Sequence, residues 1–351
     1  MKKLFLVLFS VIVFFGNLTA QSDFRIVFYN VENLFDTVSN PDKDDDDFTP
    51  DGRMNWTPRK YWEKQRNITR VITAIGGMQS PALVGLAEVE NDSVLYDLTR
   101  RSPLRAQQYE FIISNSPDRR GINVALLYQR HQFRLLEHNE YEIIFRNRST
   151  RPTRNILHAV GEIINGDTLD VFVCHFPSRV GGQRETEPAR MDAAALLRQK
   201  VDSLFIVRQT ANIIIMGDFN DYPNNRSMVQ VLDARNINDE LEHSGNRRSQ
   251  IEAHALYNMF LHRMRERNFG TYKFQGQWGI IDHFIVSGNL LKNNHSTRVK
   301  NNEAHIFKAD FLLEPDERHG GQRPFRTNIG PRYIGGFSDH LPIYIDLIIS
   351  R

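Results

Sequence analysis

The chain has 351 residues, 40% of them hydrophobic, with 44 basic and 42 acidic residues and a single cysteine. That apolar content is enough to bury one large core, and the near balance of charge excludes the globally basic surface typical of non-specific nucleic-acid binders, so any phosphate-holding surface must be local. The lone Cys174 excludes an internal disulfide and, at a strand end, reads as a packing residue.

Residues 1–20 open with Lys2 and Lys3, run apolar from Leu4 to Phe15 and close on Asn17-Leu18-Thr19-Ala20, the pattern of a secretory signal peptide. The apolar run is shorter than the roughly 20 residues of a spanning helix. Cleavage before Gln21 is expected, giving an exported protein, periplasmic or secreted, with no stable membrane insertion. Without Lys2 and Lys3, basic and acidic residues are equal in number, and residues 21–351 show no repeat, linker or low-complexity break. They are expected to form a single catalytic domain.

The first predicted strand is 24–30. The acidic stretch 42–51 fails as a calcium loop, because counting from Asp42 its sixth position is Asp47 rather than glycine and its twelfth is Arg53 rather than glutamate; a solvated loop is expected. Thr57-Pro58 starts a helix whose buried face is Ile68, Val71, Ile72 and Ile75, and Gly76-Gly77 ends it. Strands follow at 82–87, 110–114, 122–128, 133–145, 155–164 and 167–173, with turns such as Asn165-Gly166-Asp167 that imply antiparallel pairing. Ala193, Leu196, Leu197, Val201 and Leu204 predict a helix over 187–208. Beyond it come a strand into Asp218, a helix at 227–235, and strands at 280–287 and 341–349.

Four of these segments end in chemistry. The run Asn212 to Met216 stops at Gly217-Asp218-Phe219-Asn220-Asp221, and Asp218 and Asn220, two apart, project the same way. A carboxylate beside an amide suits phosphoryl transfer, the first activating a water and the second donating to the charged centre; taken alone, the run is equally an Asx-rich turn. Leu83 to Glu88 ends in a carboxylate fit for a hard metal ion. Cys174-His175-Phe176-Pro177-Ser178-Arg179 and Gly336-Phe337-Ser338-Asp339-His340 supply two histidines.

In this order, and with Tyr29-Asn30-Val31-Glu32-Asn33 and Ile281-Asp282-His283, the chain resembles the endonuclease/exonuclease/phosphatase superfamily, including its deoxyribonuclease-like branch. It is most similar to exported bacterial members. The resemblance implies an α/β (α+β) fold, a four-layer sandwich of two packed mixed β-sheets flanked by helices. Glu88 is the best metal ligand, with Asn30 and Asp339 in the same shell. Oxygen donors select Mg²⁺ or Mn²⁺. Asp218 is expected to position the attacking water and Asn220 to hold the site and the phosphate. His340 is expected to pair with Asp282, the residue the family pattern supplies, with the choice of base between Asp218 and His340 left open. His175 matches a phosphate-contacting or leaving-group histidine, and Tyr128 is a weaker counterpart from the abasic-site branch.

Arg179, Arg184 and Arg190 follow His175, and Arg326 and Tyr333 lie in the glycine-rich segment leading to Ser338; these are the expected substrate contacts. The first reading is an exported, metal-dependent phosphodiesterase of nucleic acid, DNA or RNA. The alternative is a phosphatase or phosphodiesterase for a small phosphorylated substrate such as a sugar phosphate, inositol phosphate or phospholipid headgroup. A catalytically inactive binding module is disfavoured by retention of the site residues, and no protein partner is inferred.

Overall fold

In the computed structural model the described residues are 22–238 and 251–350, so the expected signal peptide over residues 1–20 lies outside them. The strand Ile213–Asp218 shows how the sequence builds the layers. Ile214 and Met216 pack toward a second sheet, while Ile213 and Ile215 pack under a long helix, so both faces are buried and the run has no polar alternation. Strand Ser22–Leu34 works the same way, with Ile26 and Phe28 between the sheets and Val27 and Tyr29 under the other helix. Burying each such side chain stabilises the fold by about 1.5–3 kcal/mol.

Among the described residues, one sheet has six strands in the spatial order Thr297–Ile306, Ile343–Ile349, Ser22–Leu34, Leu83–Val89, Asn123–Tyr128 and Glu110–Ile113. The other has seven, in the order Phe133–Tyr141, Ile156–Ile163, Thr168–His175, Ile213–Asp218, Asp282–Ser287, Leu256–Asn258 and Ala234–Asn236. The sheets pack face to face, with helix Pro58–Gly76 outside the first and helix Gln183–Val207 outside the second, which is the expected four-layer arrangement. Each sheet is mostly antiparallel but carries a parallel pair near its middle: Ser22–Leu34 with Leu83–Val89, and Thr168–His175 with Ile213–Asp218.

Helix Pro58–Gly76 starts after an extended Thr57 and ends where Gly77, at φ 65°, returns its N–H to the Thr73 carbonyl. Other expectations shift. The predicted 133–145 strand stops at Tyr141, where its partner begins at Ile156; Ile143 and Phe145 instead pack against Phe172 on the outer face. The predicted 227–235 helix is one wide turn, Ser227–Val231, because Asp233 turns left-handed at φ 55° and residues 234–236 pair with Leu256–Asn258. The long helix begins at Gln183, a turn earlier than the pattern suggests. The acidic loop is ordered by Asp45, which is buried and accepts the Asn40 N–H at 3.1 Å.

Candidate active site

These two central parallel pairs end at the same edge of the sandwich; a third, Leu256–Asn258 with Ala234–Asn236, lies at the side of the second sheet. Asn30 and Glu88 leave the first, and His175 and Asp218, which are register partners, leave the second. Antiparallel neighbours begin there: Asp282 opens its strand opposite Asp218, and Asp339-His340 lies just before Ile343, which pairs with Phe28. The backbone is distorted at this edge, with left-handed residues at Glu32 (φ 52°), Asn33 (φ 56°), Glu88 (φ 64°) and Asn220 (φ 50°). Bulges in both strands of the first pair turn Glu88 into the cleft, where the Asn33 N–H donates to Oε2 at 2.9 Å. Such backbone costs about 1–3 kcal/mol per residue and gathers at functional sites.

Asp218 is buried, its Oδ1 accepting the Asn220 backbone N–H at 2.9 Å and its Oδ2 accepting from Asn30 Nδ2 at 3.1 Å. Asn30 Nδ2 also donates to Glu88 Oε1 at 3.3 Å, while Asn30 Oδ1 accepts the Glu32 N–H at 3.0 Å. That N–H fixes which end of the amide faces the carboxylates. Asn30 therefore ties Glu88 to Asp218 through its nitrogen. Asn220 Nδ2 donates to the Phe176 carbonyl at 3.1 Å, clamping the His175 strand end to the Asp218 strand end.

His340 Nδ1 lies 2.8 Å from Asp282 Oδ2, and Nε2 faces Asp218 Oδ2 at 3.8 Å. Burial opposes charge on this imidazole, but Asp282, Asp218 and Asp339 outweigh it and hold His340 well above its ordinary value. Burial pushes Asp218 up to about 7; Asp282 and Glu88 add to the rise, against His340 and the Asn220 N–H. His175 moves the other way: burial, with Arg154, Arg120 and His340 nearby, holds it well below the usual imidazole range. The carboxylates of Asp218 and Glu88 stand 3.6 and 4.0 Å from His175 Nε2, beyond hydrogen-bonding reach, and do not reverse that.

These groups line a cleft of about 570 Å³. Three carboxylates, Glu88, Asp218 and Asp339, face it, and their hard oxygen donors fit a divalent cation. Asp218, Asp282 and His340 also lie close enough to share an ion, but the His340–Asp282 hydrogen bond accounts for that proximity. A larger concavity of about 790 Å³, lined by Arg105, Gln129 and His131, lies near Tyr128. Tyr128 pairs with Leu83 at the opposite end of the strand from Glu88, so it packs there and has no place in the site.

The expected substrate contacts separate. Arg179 lines the cleft, held by the Asn220 carbonyl and by Asn225 Oδ1 at 3.1 Å. Arg184 is exposed in the first turn of its helix, beside Gln183, which lines the cleft. Arg190 is fully buried, with Nε 2.8 Å from Asp221 Oδ1 and Nη1 donating to Thr186 Oγ1 at 2.7 Å, so it braces the Gly217–Asp221 turn and has no access to substrate. Arg326 pairs with Asp339 at 3.0 Å and Glu32 at 3.3 Å, neutralising the site's own acids. Tyr333 packs edge-on to Trp56 on the helix side of the first sheet.

Residues that sequence reasoning passed over complete the surroundings. Glu32 is buried and accepts the Thr327 N–H at 2.7 Å; burial, with Asp339 adding, pushes it up to about 7 against Lys64 and Arg326. Lys64 is fully buried and donates to the Phe337 carbonyl at 2.6 Å and to Thr327 Oγ1, holding the segment that carries Asp339 and His340. Its position one turn before Ile68, on the apolar stripe, was the available signal. Arg154, also buried, bonds Asp118 at 3.2 Å and the Phe176 carbonyl.

Comparison with known proteins follows the same lines. A family model described as "Endonuclease/Exonuclease/phosphatase family" matches residues 25–348. Among solved structures, a Bacteroides thetaiotaomicron endonuclease/exonuclease/phosphatase family protein is 15% identical at TM-score 0.55, covering 94% of this chain and 96% of its own. A mannosyl-6-phosphatase from the same organism is 16% identical at TM-score 0.55, covering 93% and 100%. The human Nocturnin catalytic domain with a bound sulfate anion is 14% identical at TM-score 0.53, covering 93% and 94%. At these identities the likeness is one of fold. No curated protein sequence matches the chain, and no helix among the described residues is long and apolar enough to cross a membrane.

Proposed function

The chain belongs to the endonuclease/exonuclease/phosphatase family and is a phosphoesterase, and from that premise we propose that it hydrolyses a small phosphate ester in the Glu88–Asp218–His340 cleft with Mg²⁺ or Mn²⁺. The observation that carries this reading is the convergence of Asp218 and His340, at 3.8 Å, in a bounded cleft of about 570 Å³, a volume typical of small-molecule sites. Glu88, with Asp218 and Asp339 beside it, would hold the cation, which supplies charge neutralisation on the phosphoryl oxygens and on the attacking oxygen.

The protein's own groups divide the remaining work. Asp218, whose Oδ2 faces His340 Nε2 at 3.8 Å, takes the proton of the attacking water. His340, kept protonated by Asp282, stabilises negative charge on the phosphoryl group instead of acting as base. His175, held neutral, would offer a ring N–H as a hydrogen bond to the leaving oxygen without giving up its proton, and solvent supplies the proton that this oxygen takes. Asn220 and Asn30 are positioning residues. The arrangement of the arginines favours a small ester over a polymer, because Arg190 is buried, Arg326 is spent on Glu32 and Asp339 and Arg179 is held by its own loop, which leaves Arg120 and Arg184 at the cleft. The leader pattern of residues 1–20 supports an exported enzyme, with residues 21–351 acting as one catalytic unit.

The test is an assay of the mature protein against plasmid DNA, RNA, a simple phosphodiester and phosphomonoesters. Small esters are expected to be hydrolysed with the higher kcat/KM, with loss of activity in EDTA. Glu88→Gln is expected to raise the Mg²⁺ requirement by roughly tenfold or more with thermal unfolding unchanged. Fastest turnover on DNA or RNA would replace the small ester by a polymer. An unaltered Mg²⁺ titration would remove Glu88 from the metal site.

A further inference from the structure

The same cleft carries apolar surface that phosphate chemistry does not need. Phe274 and Val180 line it with relative exposures of 62% and 85%, and apolar and aromatic side chains lining a cleft can cover a ligand's apolar part. Phe274 belongs to a hairpin, Tyr272–Phe274 paired with Gln277–Gly279, whose turn residues Gln275 and Gly276 are left-handed at φ 47° and 83°.

Two contacts make the hairpin a fixed wall. Lys273 Nζ meets Asp316 at 2.8 Å, with both side chains only 4% exposed, and also donates to the Gly320 carbonyl at 2.9 Å. On the other strand, Gly279 lies so close to Tyr222 that a Cβ there would stand 2.6 Å from the ring. Arg179 in turn lies over that Tyr222 ring, 4.3 Å from its centroid. The cleft thus offers planar surfaces, from Phe274 and from the Arg179–Tyr222 stack, together with the amide of Gln277, which both donates and accepts.

We propose that Phe274 is a stacking platform for a nucleobase-type ring, so that the ester hydrolysed is a nucleotide; this rests on the small-ester reading above. A heterocyclic base has both the π-face that Phe274 covers and the mixed donor and acceptor edge that Gln277 reads. An alkyl chain would offer the Gln277 amide neither a donor nor an acceptor.

Adenosine 5′-monophosphate and ribose 5-phosphate share one ester linkage and differ by the base, so their affinities, measured by calorimetry in EDTA, isolate the subsite from turnover. The nucleotide is expected to bind about tenfold or more tighter. Phe274→Ala should abolish that advantage with ribose 5-phosphate unaffected, and Phe274→Trp should keep it. Asp316→Ala, which frees the hairpin, should lower nucleotide affinity alone. A nucleotide that binds no tighter than ribose 5-phosphate, an advantage that survives Phe274→Ala, or hexyl phosphate matching the nucleotide would each overturn the proposal. Mg²⁺-dependent hydrolysis reads the parent function separately: turnover of both esters without a base advantage removes the subsite alone, and a base advantage without turnover of either removes the small-ester reading alone.

Discussion

His340 meets Asp282 through Nδ1 at 2.8 Å, and that contact does two things at once: it orients Nε2 toward Asp218, and it keeps the ring charged against the cost of burial. Two side chains bound in this way act as one unit. His340→Ala and Asp282→Asn are each expected to lower kcat by roughly a hundredfold or more, and the double variant to cost little beyond the larger single loss. Rates of the four proteins at saturating Mg²⁺ check this, and losses that multiply would show the two residues working apart. Asp218 stands differently. Its carboxyl is crowded by Asp282 and Glu88, and a cation seated at Glu88 would pull its pKa back down, so metal and proton compete for the same negative charge.

At the scale of elements, the Gly217–Asp221 turn is held from behind by helix Gln183–Val207. Gly217 has no room for a side chain, because a Cβ would overlap the Cys174 carbonyl of the neighbouring strand. Asp221 is buried between Arg190 and Ser227, whose hydroxyl donates to it at 2.6 Å. Removing Arg190 leaves buried Asp221 with only the longer contact to the partly buried Arg179, at 3.4 Å, and the Ser227 hydroxyl; breaking a buried pair in this way costs up to about 3–5 kcal/mol, whereas replacing both partners by apolar groups can be neutral. Arg190→Met is therefore expected to lower the urea midpoint strongly, and Arg190→Met with Asp221→Leu to recover much of it. A single variant as stable as wild type would show that the pair does not brace the turn.

For the whole molecule, acid stability turns on groups buried neutral. His283 is fully buried, stacked on Phe219 with centroids 5.0 Å apart and bonded near Asn258 and the Ile280 carbonyl, both at 3.3 Å. Burial lowers it from 6.5 to about 3. Between those two values the unfolded chain binds a proton that the folded chain does not, so the contribution of His283 is fully present above the unfolded value and is lost as pH falls, at up to about 1.4 kcal/mol per pH unit. Urea unfolding near pH 7 and near pH 4.5 should show a larger loss for wild type than for His283→Gln. Equal losses would mean that His283 titrates alike in both states.

The sequence by itself determined the strands that carry the site and the residues that end them, but not the outer strands Thr297–Ile306 and Ala234–Asn236. Glu88, His175 and Asp218 were legible because an apolar run stopped by a polar residue is a local pattern, and so were helix Pro58–Gly76, with its proline start and glycine stop, and the Asp339-His340 pair. Tertiary structure alone decided what those ends face. Whether Arg190 reaches the cleft or the core depends on where its helix begins relative to a neighbouring strand, and whether Arg326 is free depends on Glu32, which lies far from it in the chain. The register that sets Asp282 against Asp218, the bulge at Glu88 and the burial of Lys64 likewise follow from packing between distant segments. A local window cannot see a partner strand, and burial, which sets both pKa and access, is a property of the assembled layers.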